Sequence, residues 1–546
     1  EASGQKKCRA IFTSSTHQWL ALQSKQNKDE RLAVACGVAC VKLWQGQSMD
    51  AIEGQPAEDP NPASVNDIAI LMKSIVRSEN ATSGILEAVE GLAYLSTDPD
   101  MKEDLSKDAT FLRNLFALIP SRKHTISSSS PQTTSSFPIN SPLLYGIVTI
   151  ILNLVAYRPR LTEEQRQMEK LKEFSKANPK RMKSGKAQSV LDDDAHVKAR
   201  VQRLISAGLL PKLSVLPALT DSQAVQANVS RVFLSVIEEK NNRGAVLQSG
   251  GAKSLQRIIR NLSSQASSSS KKPSSAPAPL EAIQALAKLS ITAAPVQVYG
   301  ADVGAIYDAI RPLSLLITHT SANQLQQFEG MMALTNLASH SPEVGSRIAE
   351  VDGLINRVEL LLFEDHILLR RAAMELICNL VSGSEKAFTT YAGDGKNTAG
   401  VKNKMQLMLA ICDVDDLPTR LAASGALATL MSSATVCNAL LELQSEKGRF
   451  IEIMTELVSP ISSEGEGSQA REDMGLIHRA AICVVNLLTQ TEDAKLQNEV
   501  KRHQEQFDKL QSRLLDLVKR REDIPVPDYI LQIVVQILKV LAPLLK

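Results

Sequence analysis

The stretch RAAMELICNLVSG (Arg371–Gly383) repeats the pattern of EGMMALTNLAS (Glu329–Ser339). Both contain small residues, then apolar residues, and both carry Asn-Leu near the end. From Asn336 to Asn379 is 43 residues, and further endings of this kind follow one another at steps of 48, 50 and 57 residues. A unit of roughly 40 to 47 residues with loop insertions fits this spacing. The related endings lie at Tyr94, Asn153, Lys288, Thr429 and Asn486.

A second phrase recurs between these endings and consists of a glycine followed by an amphipathic helix. It appears as SAGLLPKLSVL from Ser206, QSGGAKSLQRII from Gln248 and VDGLINRVELLL from Val351. Glycine ends one helix, and apolar residues at i, i+3, i+4 and i+7 begin the next. A short helix, a glycine turn, a middle helix and a long third helix describe an armadillo repeat. The predicted fold class is therefore all-α, a right-handed superhelical solenoid of armadillo repeats with a concave binding groove.

Length and composition limit the classes of function. With 546 residues, the chain exceeds the size of a single hydrophobic core, so we expect an extended array or several domains. A formal net charge of +2 provides no field to attract nucleic acid or an anionic membrane. The last apolar stretch, Tyr529–Leu545, is interrupted by Gln532, Gln536 and Lys539, so we predict a terminal capping helix and no membrane span.

The sequence contains no recognisable constellation for catalysis. The seven cysteines are scattered through apolar runs, which indicates a reducing, cytoplasmic environment. The eight histidines occur singly, without metal-ligand spacing. The segment GDGKNTAG at Gly393 is not a phosphate loop, because Thr390 stands at the first glycine position and Asn397 replaces the magnesium ligand. We therefore predict no enzyme activity, no metal, no cofactor and no small-molecule substrate.

Three polar stretches are predicted to interrupt the array. Residues 121–141 and 263–279 are rich in Ser and Pro and poor in large apolar side chains, which predicts disordered surface loops. Residues 175–195 combine a basic run with three aspartates and are predicted to form a hinge. The expected domains are a central armadillo-like domain at 1–174 and a second armadillo domain at 196–546. The chain also reads as beginning inside a repeat.

The role of the recurring asparagine can be interpreted in two ways. In a right-handed armadillo superhelix, third helices line the concave face, so their side-chain amides could hydrogen-bond an extended peptide backbone. Alternatively, each asparagine caps its helix and needs no ligand. Carboxylates and a thioether one or two turns earlier would suit a client with basic or aromatic side chains. The predicted groove residues are Glu329, Met332, Asn336, Ser339, Glu375 and Asn379, with Phe328 and Arg371 as a rim.

Receptors for basic nuclear-localisation peptides pair each groove asparagine with a tryptophan at i−4. Here the i−4 residues are Thr149, Met332, Glu375 and Ile482. A role in nuclear import is therefore disfavoured.

Three runs in succession resemble the UCS-domain family of myosin chaperones: FEGMMALTNLAS at Phe328–Ser339, LLRRAAMELICNLV at Leu368–Val381 and DVDDLPTRLAASGALATL at Asp413–Leu430. The resemblance extends from about Val197 to the C-terminus and is weaker before it. It implies a cytosolic protein that binds the myosin motor domain and supports actin-based processes such as cytokinesis.

Animal members of this family carry a tetratricopeptide domain that recruits heat-shock chaperones. No repeat of that kind occurs in this chain, so a fungal-type architecture or a truncated chain is expected. Contact with a heat-shock chaperone of the 90-kDa class remains open as an implication of the resemblance. The alternative function is an armadillo scaffold for another client, similar to a catenin.

Overall fold

The computed structural model describes residues 2–9, 11–26, 29–50, 62–78, 84–120, 140–158, 190–268, 278–393, 398–460, 473–520 and 525–545. Nearly all of these residues lie in α-helices, and none of them lies in a β-strand. The chain divides into two compact units, residues 1–289 and residues 290–546, and each unit is described separately.

The first unit begins with the short helix α1 (Lys6–Arg9) and continues with longer helices, of which α5 (Ile85–Leu95), α8 (Ser141–Val155) and α11 (Gln223–Val236) pack in succession. Its helices are α1 (Lys6–Arg9), α2 (Ser14–Gln26), α3 (Glu30–Asp50), α4 (Pro62–Arg77), α5 (Ile85–Leu95), α6 (Pro99–Lys107), α7 (Ala109–Ala117), α8 (Ser141–Val155), α9 (Asp194–Ser206), α10 (Leu209–Leu219), α11 (Gln223–Val236), α12 (Lys240–Gln248), α13 (Gly251–Ser268) and α14 (Leu280–Thr292), within which the division falls.

The second unit consists of helices in groups of three, a short or middle-length pair followed by a third helix. They are α15 (Pro295–Tyr299), α16 (Val303–Thr318) and α17 (Gln324–Ala338); α18 (Pro342–Ala349), α19 (Leu354–Leu361) and α20 (Ile367–Gly383); α21 (Glu385–Ala392), α22 (Thr398–Cys412) and α23 (Leu417–Leu430); α24 (Ala434–Lys447), α25 (Arg449–Leu457) and α26 (Met474–Gln490); and α27 (Asp493–Arg502), α28 (Gln504–Lys519) and α29 (Asp528–Leu544).

Local sequence explains where these helices begin. Gly208 and Gly353 stand immediately before α10 and α19 with φ of +95° and +71°, a backbone conformation that glycine adopts without strain. Asn323 caps α17 by accepting a hydrogen bond from the backbone N–H of Gln326, whose side chain reciprocates, in a capping box. The glycine turns predicted from the sequence are therefore the starts of middle helices.

The third helices pack side by side in order. In the second unit α17 contacts α20, α20 contacts α23, α23 contacts α26, and α26 contacts α29. Third helices carry buried apolar side chains, as Leu334 and Leu376 illustrate at 0% exposure. In the first unit, α5 lies between α3 and α8, and α8 contacts α11 in the same manner. The all-α, armadillo-like fold class predicted from the sequence is confirmed.

The predicted loops agree only in part with the helix bounds. Helix α13 continues through Ser268, so residues 263–268 are helical and not loop. Asn140 caps α8, which begins at Ser141. Residues 121–139, 269–277 and 159–189, which hold most of the predicted loops and hinge, lie outside the described residues. The predicted domain boundary stays a prediction.

The buried cysteines behave as small core residues. Cys412, Cys437 and Cys483 are fully buried as free thiols, and burial raises the pKa of Cys412 and of Cys437 to about 12. Among the helices that the structure describes, no single one is long and apolar enough to cross a membrane, although the bent pair Leu417–Leu430 and Ala434–Lys447 passes by length and composition, at an angle of 119°.

Candidate binding surface on the third helices

The repeated asparagines connect consecutive third helices. The Nδ2 atom of Asn336, near the end of α17, donates to the carbonyl oxygen of Ser290 at 2.6 Å and to that of Ala293 at 3.1 Å. Ser290 lies in the last turn of α14, and Ala293 directly follows it. Asn336 therefore donates to two carbonyls at the C-terminal end of α14, where helix carbonyls are bonded by groups from outside the helix.

Asn379 and Asn153 repeat this arrangement. Asn379 Nδ2 donates to the carbonyl oxygen of Thr335 at 3.3 Å and to Ser339 Oγ at 2.9 Å, both at the end of α17. In the first unit Asn153 Nδ2 lies 3.1 Å from the carbonyl oxygen of Ala93, one repeat earlier. The asparagine therefore caps the preceding repeat's third helix, and its N–H groups are occupied within the protein. Of the two interpretations from the sequence, capping describes these N–H groups. The capped helix is that of the preceding repeat and not, as the sequence analysis expected, the asparagine's own.

The accessible face of α17 differs by one residue from the predicted face. Glu329 is only 6% exposed, whereas Phe328 and Met332 are half-buried and Ser339 is exposed. The predicted groove position of Glu329 is therefore corrected, because this side chain packs inside the array. Phe328, predicted as a rim residue, belongs to the accessible face.

Helix α20 shows the same face. Arg371, Glu375 and Asn379 are half-buried and Ser382 is exposed, while Ala372 is 0% exposed. We call the outward residues of α17 and α20 the outer row. The outer row consists of Phe328, Met332, Asn336 and Ser339 together with Arg371, Glu375, Asn379 and Ser382.

Arg371 is paired across the row with the next repeat. Its Nε and Nη2 atoms donate to Asp416 Oδ2 at 3.1 Å and Oδ1 at 2.6 Å, which is a two-point ion pair. Asp416 also caps α23 by accepting from the backbone N–H of Thr419 at 3.1 Å. The hydrogen bond from Arg371 lowers the pKa of Asp416 to about 2. Asp416 therefore both caps α23 and holds the guanidinium of Arg371.

Glu375 is a charged residue of the outer row without such a partner. No hydrogen bond or ion pair joins its carboxylate to any residue in the part of the chain that the structure describes. Burial raises the pKa of Glu375, the charge of Arg371 lowers it, and the charge of Asp416 raises it. The net result is a raised pKa of Glu375, with burial as the largest cause.

Gly425 and Arg479 form the surface beside Glu375 on α23 and α26. Gly425 is 50 residues beyond Glu375, at the equivalent place in the next repeat. A Cβ atom on Gly425 would lie 3.3 Å from both Arg479 Nε and Cys378 Sγ, so Arg479 covers this glycine. Arg479 Nη1 donates to the carbonyl oxygen of Leu421 at 2.6 Å. The sequence analysis did not identify Asp416 and Arg479 as neighbours of the outer row. The sequence signal that could have pointed to this surface is the position of Gly425, one repeat after Glu375.

An open cavity of about 730 Å³ lies apart from the outer row, between α18, α21 and α22. Its lining mixes Glu350 and Glu385 with Lys386 and Lys404, and Lys404 is already engaged with the carbonyl oxygen of Thr390 at 3.1 Å. Among the described residues, no three His, Cys, Asp or Glu side chains are arranged to hold a metal ion.

Comparisons with known proteins agree with this architecture. No protein-family model matches the chain. Protein unc-45 homolog B of Danio rerio is 29% identical over 350 residues, which cover 63% of this chain and 32% of that protein. Ring assembly protein 3 of Schizosaccharomyces pombe is 26% identical over 490 residues, covering 88% of this chain and 54% of that protein. The chain thus spans about a third to a half of the length of these relatives.

Solved structures show the same fold. UNC-45 from Drosophila melanogaster superposes with a TM-score of 0.71 at 25% identity, over 99% of this chain and 59% of that one. A second UNC-45 structure, described by features critical for binding and folding muscle myosin, has a TM-score of 0.62 at 18% identity, over 98% of this chain and 52% of that one. The fold and the asparagine links define an armadillo-like helical-repeat protein. The chain is homologous to UNC-45 and ring assembly protein 3, so the resemblance to the UCS family is confirmed.

Proposed function

We propose that this protein is a myosin-directed chaperone whose outer row binds unfolded or partly folded segments of the myosin motor domain. The observation that carries the proposal is the outer row itself, an accessible stripe of mixed chemistry that crosses consecutive third helices. The homology to UNC-45, described as a chaperone for binding and folding muscle myosin, supports the choice of client.

The chemistry of the outer row suits an incompletely folded chain. Phe328 and Met332 offer half-buried apolar contacts, and the thioether of Met332 adapts to different side chains. The amide oxygens of Asn336 and Asn379 can accept hydrogen bonds from a backbone, even though their N–H groups are occupied. Acceptors and an adaptable apolar surface favour binding by backbone and side-chain class, as a chaperone requires.

The cellular setting is part of the proposal. We place the protein in the cytoplasm, where it would support actin-based processes such as cytokinesis. A 90-kDa heat-shock chaperone is a proposed second partner, and UNC-45 of C. elegans is known in complex with an Hsp90 peptide. The rival function, an armadillo adaptor for another protein client, keeps the outer row but predicts no preference for myosin.

The test compares apolar truncations on and off the outer row. The variant Phe328→Ala with Met332→Ala removes two row contacts, and the matched control, Leu360→Ala with Phe363→Ala, removes two side chains that are 59% and 69% exposed elsewhere in the same unit. Binding of a purified, heat-stressed myosin motor domain should weaken roughly tenfold or more for the row variant, on the scale of about 1 kcal/mol for each contact. The control should bind as the wild type does.

Light scattering of the heated motor domain provides the functional measurement. The wild type and the control should suppress aggregation and preserve the motor ATPase, while the row variant should do so less well. No binding by the wild type, or equal binding of an unrelated helical protein, would favour the adaptor function. Equal weakening by both double variants would remove the outer row from the proposal.

A further inference from the structure

Cations line the exposed face of helix α13 in the first unit. Lys253, Arg257 and Arg260 are all exposed, and their spacing of i, i+4 and i+7 places them on one face of the helix. At the rise of an α-helix, the three positions span about 10 Å along the axis. We call these three residues the basic ridge.

The basic ridge has no anionic partner within the part of the chain that the structure describes. No hydrogen bond or ion pair joins its three side chains to any described residue. Helices α10, α11 and α12 pack against α13 and contain no Asp or Glu. The acids nearest in sequence, Glu238 and Glu239, are paired with Lys288 at 2.6 Å and with Lys198 at 2.9 Å. These two carboxylates are therefore already bound to other cations.

The sequence around the ridge lacks acidic residues over a longer stretch. Between Lys240 and Leu280 there are seven Lys and Arg residues and no Asp or Glu. The whole chain is balanced, with 61 basic and 59 acidic residues. The charge of this stretch is therefore a local feature and does not follow from the overall composition.

The side chains of the ridge offer only hydrogen-bond donors. Lysine and arginine have no acceptor atom, and like charges three and four residues apart destabilise the helix that carries them. The two guanidinium groups of Arg257 and Arg260 have the planar geometry that holds a carboxylate at two points. The group that complements this surface is therefore an anionic acceptor.

The surroundings of the ridge discriminate between classes of anionic partner. Proteins that bind single-stranded nucleic acid stack the bases on aromatic side chains, and helices that lie on membranes insert apolar ones. Among the described side chains of helices α9 to α13, no aromatic or large apolar one is exposed. A partner held by charge and hydrogen bonds alone fits this surface, which favours the carboxylates of a protein segment.

We propose that the basic ridge of α13 binds an acidic segment of a partner protein. The length of the ridge corresponds to about three residues of extended chain, so a short run of Asp or Glu side chains is enough to cover it. The ridge lies in the first unit and the outer row in the second, so this inference does not depend on the proposed myosin client.

The first experiment measures binding of a fluorescent hexaglutamate peptide to the full chain by anisotropy, with hexaglutamine as the uncharged peptide. The ridge variant replaces all three ridge residues by Gln and should bind hexaglutamate about tenfold more weakly, the scale of three surface ion pairs. The matched control replaces one lysine and two arginines that are exposed elsewhere in the same unit, Lys107→Gln, Arg113→Gln and Arg231→Gln. It should bind as the wild type does.

Three results of this measurement would overturn the proposal. Equal weakening by the ridge variant and the control would show that net charge alone attracts the peptide. Absence of hexaglutamate binding to the wild type, or equal binding of hexaglutamine, would remove the carboxylate as the recognised group.

Urea unfolding separates a binding role of the ridge from a structural one. The ridge variant should have a midpoint equal to or above that of the wild type, because the substitutions remove repulsion between like charges. A lower midpoint would show that the three cations stabilise the fold, and would overturn the proposal.

The last experiment tests the class of partner. Raising the NaCl concentration from about 0.1 M to about 1 M shortens the Debye length from about 10 Å to about 3 Å and should abolish hexaglutamate binding to the wild type. Replacing all three ridge residues by Glu should transfer binding from hexaglutamate to hexalysine. Tighter binding of an oligothymidylate or of phosphatidylserine vesicles than of hexaglutamate, lost in the ridge variant, would assign the ridge to nucleic acid or to membranes and overturn the proposal.

Discussion

The side-chain amide nitrogen of Asn336 lies 2.6 Å from the carbonyl oxygen of Ser290, which belongs to the third helix of the preceding repeat. A second bond from the same nitrogen reaches Ala293, and Asn379 makes the equivalent pair of bonds to Thr335 and Ser339. Each asparagine thus closes the C-terminal end of its neighbour's helix. The recurring asparagine is explained by these hydrogen bonds between consecutive repeats. A client could therefore bind Asn336 and Asn379 only through their side-chain amide oxygens.

Substituting the two asparagines should weaken the protein itself. Asn336→Ala and Asn379→Ala each remove two side-chain hydrogen bonds to the end of the preceding repeat's third helix, which costs about 1 kcal/mol per hydrogen bond lost. We expect each variant to lower the urea midpoint of unfolding, and the double variant to lower it further. Asn356→Ala, at an exposed position of α19, is the control and should change little.

An unchanged midpoint in both asparagine variants would contradict the capping role. That result would favour the other interpretation, in which the two side-chain amides bind a client and do not cap a helix. Client binding measured at a temperature where all variants are folded then distinguishes the two, since capping predicts near-normal affinity in the remaining folded protein.

The sequence predicted the fold well because its signals are local. The Asn-Leu endings mark third-helix ends, and Gly208 and Gly353 mark the starts of middle helices. The face of the third helix was predicted less well. Burial of Glu329 in place of Phe328 depends on how α17 packs against the helices beside it, which local periodicity does not encode. The partners of the asparagine amides lie 40 to 60 residues away and depend on the register between repeats.

The ion pair between Arg371 and Asp416 should make the free energy of unfolding depend on pH within a narrow acidic range. The folded pKa of Asp416 is about 2, below its ordinary value of 3.8, so the native state favours the charged form. The contribution is therefore present above about pH 4 and is lost as pH falls from about 4 towards 2. Urea unfolding of Asp416→Asn should show a loss of about 2 kcal/mol at pH 6 and a smaller loss at pH 3.

Asp415→Asn is the matched control for this measurement. Asp415 is exposed and adjacent in sequence, so its substitution should leave the difference between pH 6 and pH 3 as in the wild type. A loss for Asp416→Asn that is the same at both pH values would show that capping of α23, and not the charge of the pair, dominates.

Arg200 in the first unit should be essential for folding of that unit. It is 0% exposed, and its guanidinium donates to the carbonyl oxygen of Leu154 at 2.9 Å, that of Leu191 at 2.6 Å and Glu103 Oε1 at 3.1 Å. Burial raises the pKa of Glu103, but hydrogen bonds from Arg203 and Arg200 lower it overall. Arg200→Met would strip a buried carboxylate of one partner and should cost about 3–5 kcal/mol.

The control for Arg200 changes a cation near the same carboxylate. Lys107 Nζ lies 3.6 Å from Glu103 Oε2, but the Lys107 side chain is 64% exposed. Lys107→Ala should therefore shift stability by less than about 0.5 kcal/mol. Thermal unfolding of both variants would contradict this account if Lys107→Ala proved as damaging as Arg200→Met.

Two helix-interior glycines in third helices should respond in different ways to alanine. Alanine favours a helix over glycine by about 1 kcal/mol, so propensity alone predicts stabilisation at both Gly330 and Gly425. At Gly330 a Cβ atom would lie 2.8 Å from Leu316 Cβ and 3.3 Å from the carbonyl oxygen of Leu313, so α17 and α16 would have to separate. We expect Gly330→Ala to destabilise the protein by about 1–3 kcal/mol, the usual cost of overpacking.

At Gly425 the Cβ atom would contact Arg479 and Cys378 at 3.3 Å, and the long Arg479 side chain can move by a few tenths of an ångström. Gly425→Ala should therefore change the urea midpoint little or raise it, and equal destabilisation by both variants would show that the space above Gly425 is as rigid as the helix contact at Gly330.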